Sequence, residues 1–163
     1  KITKAKGLCP EEVRSVARNK AQSSSLPLGL TRGTAPTIKN LDMHFTTDTT
    51  KEFHTSERCH ITEVINRPDH EDVSIAQARV EPGVSTRWHT VEVREIYYIL
   101  SGKGRAEVGD DVTEVGPGDA VSIPFGVRQR IANIGEEDLI FLCVCTPQFK
   151  PEGYREIDVE DQI

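Results

Sequence analysis

The chain has 163 residues, 36% of them hydrophobic, and a formal net charge of −6. That length suits one domain with a substantial core. The acidic balance argues against nucleic-acid or anionic-membrane surfaces, since both need basic stripes. No run of about 18 apolar residues is present to span a bilayer, and the basic start lacks the apolar stretch of a signal peptide. We therefore expect a cytoplasmic protein with no nucleic-acid or membrane partner.

The first 50 residues differ from the rest and are interpreted as an N-terminal arm. A short helix is predicted from Cys9 to about Gln22, because the proline and two glutamates that follow Cys9 suit a first helical turn. Serine, proline and glycine over residues 23–29 then end it. The sequence leaves open whether this arm packs on the domain, reaches a partner subunit or stays disordered.

From about Phe45 onward the sequence has the pattern of short strands and turns. Turn residues recur at intervals of about eight to twelve, which is typical of a β-sandwich or barrel with little helix. Strands are predicted over residues 59–65, 73–80, 94–100, 105–108, 111–115, 120–123, 127–131 and 139–144. We therefore predict an all-β domain over residues 51–150 and a polar C-terminal tail over 151–163.

The cysteines have neither C-x-x-C spacing nor the density of a disulfide scaffold. Cys143 and Cys145 lie two apart in a predicted strand, which places them on one face about 6–7 Å apart. That separation is poor geometry for a disulfide. We expect reduced thiols that pack as small hydrophobic side chains.

Two stretches carry glycine and polar residues at fixed offsets. In the first, five residues separate Gly83 from His89, five separate His89 from Glu95, and six separate Glu95 from Gly102. Glycines at such offsets mark tight turns between short strands.

The second stretch reads Gly118, five residues, Pro124, one, Gly126, two, Gln129, three, Asn133. Together the two stretches resemble the signature motifs of the cupin superfamily, which run Gly-x5-His-x-His-x3,4-Glu-x6-Gly and Gly-x5-Pro-x-Gly-x2-His-x3-Asn. The resemblance covers residues 57–149. It implies a double-stranded β-helix, a jelly-roll barrel, here with an N-terminal extension.

The resemblance also implies a metal site, because cupins usually bind a transition metal through three histidines and one glutamate. His89 and Glu95 match the first histidine and the glutamate, whereas Val91 and Gln129 replace the other two histidines. We predict one divalent ion (Fe, Mn, Ni, Zn or Cu) held by His89, Glu95 and Gln129, more weakly than in a full site because a neutral amide is a weak ligand. Less favoured ligands, for which core packing is the simpler explanation, are His60, Cys143 and Cys145.

Strand parity places Gln129 on the inward face with Val127 and Ile131. A buried amide needs hydrogen-bond partners. Two interpretations are open: Gln129 bonds the barrel wall or a water, or its carbonyl oxygen contacts a metal or a substrate.

Glu95 shares a strand face with Tyr97 and Ile99, where a carboxylate is costly unless it is paired. Its partner is expected to be a metal or a cation such as Arg87. Arg87, Tyr97 and Gln129 are predicted to contact substrate, the arginine holding a carboxylate or phosphate. Glu95 and Tyr97 are the predicted catalytic residues, with Glu95 moving protons; ordinary aromatic packing is the alternative for Tyr97.

These observations predict a small-molecule cupin, a metal-dependent enzyme of the isomerase, dioxygenase or lyase type that acts on a small polar metabolite. The alternative is a binding module with a degenerate, metal-poor site, and a third hypothesis is a partner protein with a vestigial pocket. The resemblance also implies a homodimer, because exchanged strands between paired barrels are common in the superfamily. The fold alone does not decide between these activities.

Overall fold

The computed structural model describes residues 44–157 of the chain. The predicted helix between Cys9 and Gln22 lies outside the described residues, as do most of the predicted arm and the last six positions. The described segment contains two short 3-10 turns, Thr49–Lys51 and Pro151–Gly153. No helix in this segment is long and apolar enough to span a membrane.

Residues 44–157 form eleven strands. In chain order they are β1 Phe53–His54, β2 His60–Ile65, β3 Ser74–Val80, β4 His89–Val91, β5 Arg94–Ser101, β6 Gly104–Val108, β7 Asp111–Val115, β8 Ala120–Ile123, β9 Gln129–Asn133, β10 Leu139–Thr146 and β11 Tyr154–Glu156. Six of them form one sheet in the order β1-β2-β3-β10-β5-β8, and five form a second sheet in the order β11-β4-β9-β6-β7. Every pairing is antiparallel. The predicted all-β jelly roll is confirmed.

The core lies between the two sheets because each strand alternates inward apolar residues with outward ones. Its main cluster of buried residues comprises Cys59, Ala78, Val80, Tyr97, Ile99, Ala106, Val115, Ile123, Ile131, Leu139 and Phe141. A second, smaller cluster of Val91, Val93 and Cys145 packs with Phe149 and Tyr154. Val91, Cys145, Phe149 and Tyr154 of this second cluster also line the cavity of the candidate site.

The motif glycine Gly102 shows why the spacing predicts the fold. It follows β5 with a positive φ of 83°, and a Cβ at this position would lie 2.7 Å from the backbone oxygen of Asp138. Only glycine avoids both the strained backbone and the clash. The turn between β5 and β6 can therefore lie close against the start of β10, which explains the glycine at this position of the first motif.

Two departures from the predicted strands concern elements that carry residues of the site. The strand predicted over 127–131 is shifted to Gln129–Asn133, because two residues outside any strand follow the turn at Phe125 and Gly126. Residues 151–157 lie in the predicted tail, yet β11 pairs with β4 through Tyr154, Arg155 and Glu156. Barrel pairing thus continues beyond residue 150.

Candidate functional site

His89 begins β4 and lies at the centre of the site. It pairs in register with Gln129 of β9 on one side and Glu156 of β11 on the other. Its side chain is buried and packs against the Tyr154 ring, with 5.4 Å between ring centroids. The short strand between two neighbours therefore fixes both the position and the orientation of the imidazole.

The tautomer of His89 follows from its backbone contact. Nδ1 lies 2.9 Å from the carbonyl oxygen of Arg87. A carbonyl only accepts hydrogen bonds, so Nδ1 carries the proton and Nε2 is the basic nitrogen of the neutral ring. His89 lines the cavity described below, so Nε2 is the ring nitrogen that could accept a hydrogen bond from a ligand there.

Glu95 is buried on β5, and its carboxylate has two protein donors. The amide nitrogen of Gln129 donates to Oε2 at 2.6 Å, and the Cys145 thiol lies 3.7 Å from Oε1. Burial raises the pKa of Glu95, and the Gln129 bond and His89 oppose that rise. The sequence predicted that this carboxylate needs a partner, and the structure places Gln129, rather than Arg87, beside it.

Gln129 is fully buried behind Glu95 and does not line the cavity. Its amide nitrogen faces the carboxylate, and its Oε1 has no hydrogen-bond partner among the described residues. Of the two open interpretations, the structure places Gln129 in the barrel wall. The atom that was predicted to contact a metal or substrate is turned away from Glu95.

A cavity of about 360 Å³ lies beside His89 and Glu95, between the sheets. Its walls are mainly apolar and aromatic, with few polar groups, as is common for small-molecule sites. Val91, which replaces a motif histidine, contributes one apolar wall. The aromatic residues that line it are Phe53, Tyr97, Phe141, Phe149 and Tyr154.

Glu57 is the site residue that sequence reasoning missed. It sits in the turn between β1 and β2, and its Oε2 lies 3.8 Å from Nδ1 of His89. Burial raises the pKa of Glu57, although His89 and the Tyr154 hydroxyl favour its charged form. The backbone N–H of Arg87 donates to the Glu57 carbonyl and fastens this turn beside β4. No motif offset marks a residue placed by such a tertiary contact, so the sequence carried no signal for it.

Arg87 does not line the cavity, contrary to its predicted contact with substrate. Its guanidinium is about half exposed and pairs with the carboxylate of Glu156 on β11. Arg87 precedes β4, so the strand alternation that grouped it with His89 does not extend to it. The predicted anion-binding cation therefore faces the surface.

Tyr97 does line the cavity, deep in the barrel, and packs on Phe141 with 4.7 Å between ring centroids. Burial raises its pKa well above the usual tyrosine value, so the phenol stays protonated. The nearby thiols behave alike, since burial raises the pKa of Cys59 and Cys145 to about 12 and that of Cys143 well above its usual value. Neutral thiols are poor nucleophiles and poor metal ligands.

The predicted metal ligands do not fit an ion. No group of three or more His, Cys, Asp or Glu side chains within residues 44–157 is arranged to hold one. Gln129 presents an amide N–H, not an oxygen, to the carboxylate of Glu95, and Val91 offers no donor. The lesser candidate His60 pairs with Glu52 and Glu81 instead.

Comparisons with known proteins agree on the architecture. Residues 76–145 match the family model described as a cupin domain. An uncharacterised protein of Methanocaldococcus jannaschii is 38% identical over 80 residues, which span 48% of this chain and 64% of that protein.

Two solved structures are similar in fold. Oxalate decarboxylase from Bacillus subtilis superposes with a TM-score of 0.62 at 19% identity, over 73% of this chain and 33% of that chain. An uncharacterised protein with a double-stranded β-helix domain from Klebsiella pneumoniae gives a TM-score of 0.55 at 20% identity, over 64% of this chain and 88% of that chain. Residues 76–145 therefore match a cupin domain, and the described part of the chain has the double-stranded β-helix fold.

Proposed function

We propose that this barrel is a small-molecule-binding cupin whose pocket acts through hydrogen bonds and proton exchange instead of a bound transition metal. One observation carries the proposal: the amide nitrogen of Gln129 lies 2.6 Å from Oε2 of Glu95. That bond engages the carboxylate that a cupin metal would need. It also points an N–H at the place where the family pattern has a histidine nitrogen.

The cavity supports a ligand of modest size. Its volume of about 360 Å³ is at the lower end of the range of small-molecule pockets, roughly 300–1,000 Å³. Aromatic and aliphatic walls would bury the body of the ligand, and Nε2 of His89 would orient it through a hydrogen bond. This function corresponds to the alternative predicted from the sequence, a binding module with a degenerate, metal-poor site.

The same geometry favours a second candidate function, proton-transfer catalysis of the isomerase or lyase type. His89 has a basic Nε2, and the Glu57 carboxylate beside it has a raised pKa. A histidine and a carboxylate 3.8 Å apart are groups that commonly act as base and acid in catalysis. Tyr97, predicted as a catalytic residue, would act here as a neutral hydrogen-bond donor.

The test compares the wild-type chain with Val91→His/Gln129→His, which restores the two missing histidines of the family pattern. After loading with Fe, Mn, Ni, Zn or Cu and removal of free metal, elemental analysis should find far less than one ion per wild-type chain. The double variant should hold close to one. A stoichiometric metal in the wild type that is lost in His89→Ala would contradict the proposal.

Ligand binding is tested separately by thermal shift with small organic compounds. His89→Ala should abolish the shift, whereas His60→Ala, a histidine paired at the surface, should retain it. The homodimer and the cytoplasmic location stay predictions. Sedimentation of the purified chain would check the first of them.

A further inference from the structure

Two hydrogen-bonding groups that line the cavity side by side, Glu57 and His89, can act as acceptors. Glu57 contributes a carboxylate, and His89 contributes Nε2, because its Nδ1 proton is held by the Arg87 carbonyl. A ligand that meets both must donate hydrogen bonds. Neither of these two groups offers an N–H or O–H to a carboxylate, phosphate or carbonyl oxygen.

The charges that line the cavity have one sign. Three carboxylates line it, Glu57, Glu63 and Glu95, and no lysine or arginine does so within residues 44–157. Asn66 donates to Glu63 at 3.3 Å, and Gln129 donates to Glu95. These amide donors are neutral, so the negative charge is shared by hydrogen bonds but is not cancelled. An unbalanced charge at a partly desolvated site favours a cation.

The aromatic rings of the wall suit the same ligand. Phe53, Phe149 and Tyr154 line the cavity beside the acidic end, and the faces of such rings attract ammonium groups. An apolar body would pack against Ile61, Ala78 and Ile131, which also line the cavity. The pocket thus combines acceptors, negative charge, ring faces and an apolar interior.

We propose that the cavity takes a small organic cation, a primary or secondary amine on an apolar body, with its N–H groups on Glu57 and on Nε2 of His89. This inference rests on the proposed function and specifies its ligand class. It reverses the ligand charge that the sequence predicted, because Arg87, the expected anion contact, pairs with Glu156 outside the cavity. A dianion such as oxalate, named for the fold relative from Bacillus subtilis, would meet three carboxylates and no lysine or arginine among the described lining residues.

The experiment uses the full chain and three compounds that share one ring: cyclohexylamine, cyclohexanol and cyclohexanecarboxylate. Calorimetric titration at pH 8 should show the amine binding at least about tenfold more tightly than the alcohol, since a hydrogen bond to a charged group contributes about 1.5–3 kcal/mol. The carboxylate should not bind. A parallel set of straight-chain amines, alcohols and acids of two to six carbons covers smaller ligands.

Variants identify the residue responsible. Glu57→Gln should weaken amine binding about tenfold and leave alcohol binding unchanged. Glu136→Gln removes the same charge from an exposed position away from the cavity, so it should bind as the wild type does. Equal loss in both variants would mean that only the net charge of the protein matters, which would overturn the assignment to Glu57.

The two proposals fail in different ways. If an alcohol or a carboxylate binds as tightly as the matching amine, the pocket is a small-molecule site but its preference for cations is wrong. If no compound of either set binds, the small-molecule pocket itself is wrong, and the cation inference falls with it.

Discussion

The inner and outer faces of the five-stranded sheet handle charge in opposite ways. On the outer face, the guanidinium groups of Arg128 and Arg130 lie 4.9 and 4.6 Å from the Trp88 ring centroid, and Arg130 pairs with Glu107 at 2.8 Å. On the inner face, one residue after Trp88, His89 meets carboxylates that are supported by amide and thiol donors. The arginines of the outer face therefore have partners, whereas no lysine or arginine among the described residues lines the cavity on the inner face.

The difference follows from what each environment tolerates. A guanidinium at the surface keeps much of its hydration while its planar group stacks on an aromatic ring. A carboxylate inside the barrel loses its hydration, so its pKa rises, as it does for Glu57 and Glu95. The outer charges are therefore stabilised by their neighbours, whereas burial of the inner carboxylates favours binding of a proton or, on our proposal, of a cation.

Removing the hydrogen bond between Gln129 and Glu95 on the inner face should give the largest loss of stability. Gln129→Leu removes the amide that donates to Glu95 and leaves a buried carboxyl short of a partner. We expect a loss of about 3 kcal/mol in the free energy of unfolding, measured by urea denaturation. Glu95→Leu/Gln129→Leu removes both groups and should recover most of that loss, because two apolar side chains replace a polar pair. A double variant as unstable as the single one would show that packing, not pairing, sets the cost.

The sequence predicted the features that depend on local patterns, but not those that depend on tertiary contacts. Glycine and proline offsets and strand parity act over a few residues, so they predicted the sheets, the inward position of Gln129 and the need of Glu95 for a partner. The location of Arg87 depends on β11, a strand more than 60 residues away that pairs with β4. The position of Glu57 depends on a turn fastened to β4 by one backbone hydrogen bond. Such tertiary contacts have no local signature.

The next prediction concerns Glu57, whose contribution to the free energy of unfolding should depend on pH. The pKa of Glu57 is raised above the ordinary glutamate value of 4.5 in the folded chain. The folded protein therefore holds this proton more tightly than the unfolded chain does. The contribution of Glu57 to stability is present below pH 4.5 and is lost as pH rises through its raised pKa. Unfolding of wild type and Glu57→Gln from pH 4 to 8 measures this difference directly.

The two proteins should be equally stable at low pH, and Glu57→Gln should become the more stable one as pH rises. Glu136→Gln is the matched control because its side chain is exposed, so its difference from the wild type should not vary with pH in this way. A wild type that gains stability over Glu57→Gln as pH rises would mean that the ionised carboxylate is well paired, contrary to an acidic pocket that lacks a cation.

A smaller loss of stability is expected when Trp88 on the outer face is replaced. Trp88→Leu keeps an apolar side chain but removes the ring that both Arg128 and Arg130 cover. We expect a loss of about 1 kcal/mol in the free energy of unfolding, the usual size for cation–π contacts near a surface. Ligand binding should be unchanged, because the ring lies on the other side of the sheet from the cavity. Phe125→Leu, in an exposed turn, is the control for loss of an aromatic ring alone.

Substitution of Arg87 should give the smallest loss of stability. It also tests directly whether the cationic side chains stay outside the cavity. Arg87 is about half exposed in its pair with Glu156, and surface ion pairs of this kind contribute at most about 1 kcal/mol. Arg87→Ala should therefore cost less than Trp88→Leu and leave amine binding unaltered. Arg155→Ala is the matched control, because Arg155 pairs with Glu92 at 3.3 Å on the same edge of the sheet. If Arg87→Ala, but not Arg155→Ala, strengthened amine binding or abolished binding of an anion, the guanidinium would have to act on the pocket. The cavity would then possess the cation that its lining residues lack, and its preference for amines would lose its physical basis.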